Sequence, residues 1–63
     1  MNDDYKFVRG DMVFLHDNQD SKPHWVLRSR YIDGLETYDV VDASGTITRS
    51  VTYWVLSRTP WGL

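Results

Sequence analysis

His16, Asp17, Asp20 and His24 are the residues of this chain whose types could hold a metal ion or move a proton. Imidazole nitrogens and carboxylates are the natural zinc ligands, and here they crowd into one segment. Their spacing follows no zinc pattern such as His-Glu-x-x-His. A calcium loop needs Gly at its sixth position, and the sixth residue counted from Asp17 is Lys22. The segment reads as a solvated polar loop, and neither a metal nor a cofactor is expected.

Nucleophilic chemistry finds no better footing. Cysteine is absent, which excludes thiolate catalysis, thiolate metal sites and disulfides. Ser21, Ser29, Ser44, Ser50 and Ser57 lie in no Gly-x-Ser-x-Gly elbow. Gly10, Gly34, Gly45 and Gly62 stand too far apart to cradle a phosphate. A pair of carboxylates working as acid and base needs a cleft, and a domain this small has none of its own. No catalytic residue is predicted, and the chain is not expected to be an enzyme.

The aromatic residues carry more information. Three tryptophans, four tyrosines and two phenylalanines are more than one tiny core can hold. Phe7, Phe14 and Tyr38 suit the core, whereas Trp25, Tyr31, Tyr53, Trp54 and Trp61 cannot all be internal. Exposed Trp, Tyr and Arg dominate the energetics of protein interfaces. Trp25, Tyr31, Tyr53, Trp54 and Trp61, with Arg28, Arg30 and Arg58, are therefore the candidate binding residues. The competing structural reading is that the tryptophans cap the open ends of the domain and shield a thin core. Tyr31, Tyr53 and Trp54 could also wall an aromatic cage for a methylated cation.

The elements that must position these side chains are strands. Val, Ile, Thr and aromatics are plentiful, Ala occurs once, and no stretch holds a helical period for two turns. Residues 1–6 are a polar, flexible N-terminus. Arg9-Gly10-Asp11 signals a bend, and Met12-Val13-Phe14-Leu15 is a short apolar strand that suits a barrel corner. His16 to Pro23 is a loop. Trp25 to Ile32 forms the second strand, with Trp25, Leu27, Ser29 and Tyr31 on one face and Val26, Arg28, Arg30 and Ile32 on the other. Asp33-Gly34 is a strong hairpin signal, and Thr37 to Val41 is the third strand. Asp42-Ala43-Ser44-Gly45 predicts a type I turn with Gly45 left-handed. Thr46 to Val51 is the fourth strand, with Ile47, Arg49 and Val51 sharing a face. A single 3₁₀ turn over Thr52 to Val55 and a short strand from Leu56 to Thr59 follow. Residues 60–63 are a tail.

Gly10-Asp11-Met12-Val13, Tyr38-x-Val40 after an Asp-Gly hairpin, Gly45 in the next turn, and Val51 followed five residues on by Leu56 together resemble the SH3-like small barrels. The pattern is similar to KOW and Tudor-like modules and to short bacterial or phage proteins with a Gly-Asp-x-Val start. The resemblance spans residues 7–59 and implies an all-β, five-stranded SH3-like barrel with a 3₁₀ turn before the last strand. It implies no activity. The small plasmid-borne dihydrofolate reductases share the plan and build their site at the centre of a tetramer. The comparable segment here, Val51-Thr52-Tyr53-Trp54, lacks their ligand-contacting glutamine.

The chain has 63 residues, enough for one marginally stable domain. Without disulfides, stability must come from apolar packing, which self-association or a partner could complete. No apolar run reaches the length of a membrane helix, and the acidic N-terminus resembles no signal peptide. A complete cytoplasmic protein, phage- or mobile-element-encoded, is the expectation. Its function is expected to be protein binding, as a regulator, inhibitor or assembly subunit. Nucleic-acid binding is the alternative, with Arg28, Arg30, Arg49 and Arg58 on phosphates. It is disfavoured by a net charge of −2. An enzyme whose site forms only between subunits is the third reading.

Overall fold

A computed structural model describes residues 5–16 and 22–60. Asp17, Asp20, Ser21, Trp61 and Gly62 lie outside the described residues. Five antiparallel strands form one sheet in the order β4-β3-β2-β1-β5. They are β1 (Met12–Leu15), β2 (His24–Ile32), β3 (Leu35–Asp42), β4 (Ile47–Thr52) and β5 (Leu56–Ser57), with a 3₁₀ turn at Tyr53–Val55 before the last. This is the all-β, five-stranded plan with a 3₁₀ turn ahead of the final strand that the sequence predicts.

The turns form where the sequence places them. Asp33 and Gly34 both adopt positive φ, 52° and 80°, as a two-residue hairpin with the right-handed strand twist requires. In the next turn the Asp42 carboxylate accepts the Ser44 N–H at 3.0 Å and the Thr46 N–H at 2.9 Å. The Ser44 hydroxyl also donates to it at 2.7 Å, and that bond first, then the backbone ones, holds the Asp42 carboxyl below the usual carboxylate range.

Strand β1 divides its pairing. Met12 and Val13 face β2, whereas Phe14 and Leu15 face β5. It is thus a corner, which explains an apolar run without strict alternation. The core is Phe7, Val13, Val26, Tyr38, Val40, Val51 and Leu56, flanked by half-buried Tyr5, Leu15, Tyr53 and Val55. Phe14 is buried as well.

The N-terminal segment is fastened to β3 by polar groups. The Tyr38 hydroxyl accepts the Phe7 N–H at 3.0 Å and donates to the Glu36 carboxylate. The same Glu36 oxygen accepts the Lys6 N–H at 2.9 Å. Tyr5 stacks on Tyr31 with ring centroids 5.0 Å apart and meets Tyr38 edge-on. Tyr5 and Lys6, which the sequence puts in the polar leader, are therefore held against the sheet.

Two predicted strand faces need correction. Pairing of β2 with β3 shifts by one residue between Val26 and Arg28, so Leu27 is an extra residue in β2. Before it, Val26 pairs with the buried Val40. After it, Ser29 pairs with the buried Tyr38. The inward set is thus Val26, Ser29 and Tyr31, while Trp25, Arg28, Arg30 and Ile32 share the outward face. Likewise, β4 bulges at Arg49 and Ser50, which together oppose Asp39, between the pairs Tyr38–Val51 and Val40–Thr48. Ile47 is therefore outward and Val51 inward, not on one face. A bulge inserts one residue without a partner, and the alternation reverses beyond it.

Candidate functional site

Both bulges flank one residue of β3. Asp39 is a charged side chain, 4% exposed, in the middle of a strand. Strand interiors are depleted in Asp, and an unpaired buried carboxylate would be costly. Its partners remove that cost. The Ser50 N–H reaches Oδ1 at 3.0 Å, Arg28 Nε reaches Oδ2 at 3.3 Å, and Arg30 Nη2 bridges both oxygens at 3.3 and 3.4 Å. Burial alone would raise the carboxyl's pKa. The Ser50 N–H and the two guanidinium groups outweigh it and hold the pKa below the usual range.

Ser50 has φ of 58°, a left-handed conformation that non-glycine residues seldom adopt. The bond from its own N–H to Asp39 supports that conformation locally. Asp39 therefore fixes the β4 bulge on one side and gathers the two arginines of β2 on the other.

The second feature of the outward face is a row of apolar side chains running across four strands. Met12 pairs with Trp25, Trp25 with Val41, and Val41 with Ile47. Directly opposed residues share a face, with Cβ atoms about 5 Å apart. The row is therefore continuous from β1 to β4. Met12 is 46% and Ile47 45% exposed, with Trp25 and Val41 half-buried between them. Arg28 and Arg30 stand on the same face, next along β2, with side chains 61% and 37% exposed. Arg49 is exposed in the β4 bulge.

The predicted binding residues that the structure describes fall in four places. Trp25, Arg28 and Arg30 come together on the outward sheet face. Tyr53 and Trp54 meet edge-on in the 3₁₀ turn, 5.2 Å between centroids, with Lys6 Nζ 5.6 Å over the Tyr53 ring. Trp54 is 56% exposed. Tyr31 lies near the β2–β3 hairpin, stacked on Tyr5. Arg58 is drawn back onto its own chain. Its Nη2 donates to the Lys6 carbonyl at 2.7 Å, its Nη1 to Asp11 at 3.3 Å, and its guanidinium lies 4.8 Å over the Phe7 ring. Trp61 falls outside the described residues.

Met12, Val41, Ile47 and Asp39 were not singled out by sequence reasoning. The signal for Asp39 was present in an acidic residue set inside a predicted strand. The row had no signal, because it depends on the register of four strands.

Other groups offer little chemistry. His24 is buried, and its Nδ1–H donates to the Lys22 carbonyl at 3.0 Å. Among the described residues no group of three His, Asp or Glu side chains is placed to hold a metal ion. A shallow depression is lined by Lys22, Pro23, Asp42, Ala43 and Ser44; in it the Ser44 hydroxyl donates to the Asp42 carboxylate at 2.7 Å, a contact within the turn that the same carboxylate caps. No helix among them is long and apolar enough to cross a membrane. No family model, curated protein or solved structure matches this chain.

Proposed function

We propose that this chain is a small non-catalytic binding module that works through protein–protein contact, as a regulator, inhibitor or assembly subunit. The supporting observation is the row of Met12, Trp25, Val41 and Ile47, with Arg28 and Arg30 beside it. Contiguous exposed apolar surface is uncommon on a small domain unless a partner covers it. A Trp beside Arg in the middle of such a surface is the composition of an interface hot spot.

Size-exclusion chromatography with light scattering, run alone and with cell extract, tests the reading. Wild-type protein should run as a stoichiometric complex or a defined homo-oligomer, and Ile47→Asp should abolish it. A strict monomer that captures no protein would overturn the reading. Arg28 and Arg30 on one carboxylate, with Arg49 exposed in the neighbouring β4 bulge, favour a second reading, nucleic-acid binding. That binding must weaken steeply with salt, since displaced counterions drive it.

A further inference from the structure

The chemistry of the outward face narrows the kind of partner. We infer that the face takes an acidic protein segment, with aliphatic side chains lying along the Met12–Trp25–Val41–Ile47 row and a carboxylate on the Arg28–Arg30 pair. This rests on the protein-binding reading above.

Charge carries the inference. Asp39 is one negative charge beneath two guanidinium groups, so this spot keeps a surplus positive charge in a chain of net −2. The guanidinium donors are also not exhausted. Arg28 engages Asp39 through Nε alone among the described residues, which leaves its outer Nη1/Nη2 edge available. That edge is a planar fork matched to a carboxylate. Arg30 holds Asp39 through Nη2, and its Nε is buried with no hydrogen-bond partner. The pair is thus prearranged by a buried anion beneath; the buried Arg30 Nε is out of a partner's reach, and the exposed Arg28 edge is the fork that faces outward. Prearranged side chains lose little freedom on binding.

The apolar row decides against a polyphosphate. Stacking on bases needs exposed aromatic faces. The row offers one half-buried indole and three aliphatic side chains. Net charge of −2 also opposes a polyanion at long range more than it opposes a segment with a few carboxylates.

The test is selection of random peptides displayed on phage against the intact protein, followed by affinity measurement of the selected peptides. Selected sequences should pair Leu, Ile or Trp with Asp or Glu. Arg28→Gln should weaken them about tenfold or more, and rising salt should weaken them in wild type but much less in the variant. Arg28 is exposed, so the variant should melt within a few degrees of wild type, as circular dichroism would show. Binders with no acidic enrichment that are lost in Ile47→Asp would overturn the acidic partner and keep the binding face. Binders indifferent to Ile47→Asp and Arg28→Gln, or no binders at all, would overturn both. A labelled oligothymidylate that binds more tightly than any selected peptide, through Arg28, would replace the protein segment with nucleic acid.

Discussion

The backbone N–H of Ser50 donates to the Asp39 carboxylate at 3.0 Å, eleven positions along the chain and one strand away. Through it a buried charge sets the register of β4, turns Val51 into the core and leaves Ile47 in the apolar row. The same carboxylate gathers the guanidinium groups of Arg28 and Arg30 on β2. Register, core and binding face thus share one anchor.

Removing that anchor should cost more than a surface change. Asp39→Ala leaves two guanidinium groups and the Ser50 N–H without their acceptor, and should destabilise by about 2–4 kcal/mol, discounted because the arginines are partly exposed. Urea unfolding with unchanged slope would measure it.

Ser50 offers a sharper test of the bulge. Valine is far less tolerant of φ near 58° than glycine. Ser50→Val should cost about 1–2 kcal/mol, while Ser50→Gly should be neutral or slightly stabilising. Equal melting temperatures for the two variants would contradict the left-handed conformation.

Acid should act through Asp39. A carboxyl with a lowered native pKa stabilises fully above its unfolded value of about 4, and the contribution disappears as pH falls through the native value. Wild type should therefore lose stability on acidification below about pH 4. Asp39→Asn should be weaker at neutral pH and lose less over the same window.

Tyr38 should act at the other extreme. Burial first, then its bond to Glu36, raises the phenol above its ordinary value. The sign is opposite: its contribution is full below about pH 10 and is lost as pH rises beyond that. Tyr38→Phe orphans the Phe7 N–H and should cost about 1–2 kcal/mol at neutral pH, with a shallower alkaline loss. Denaturant titrations across pH would resolve both effects.

Trp54 is exposed, so Trp54→Ala should leave the fold intact, within about 1 kcal/mol of wild type. Val40→Ala, by contrast, opens a fully buried site and should cost about 2 kcal/mol. Thermal melts would separate them.

Much of the fold was legible from local chemistry. Asp33-Gly34 and the Asp42-to-Gly45 turn fix their own backbones, and β1 is a short apolar run bounded by polar turns. Phe7, Phe14 and Tyr38 are buried as their types suggest. The strand faces were not legible, because the bulge positions Leu27 and Ser50 carry no local bulge signal. Ser50 takes its conformation with support from a carboxylate on another strand. Reading β2 with strict alternation put Trp25 opposite the arginines. The bulge puts it beside them, and only then does the outward face acquire a hot-spot composition.

Photo-crosslinking tests the central claim most directly. A benzophenone side chain at Ile47, compared with one at the exposed Trp54 of the 3₁₀ turn, away from this face, should yield protein adducts in cells, with an acidic segment of a partner. Adducts are expected from position 47, should disappear when Arg28→Gln is added, and should be absent from position 54. Adducts from position 54 alone, or nucleic acid in place of protein at position 47, would contradict the binding face.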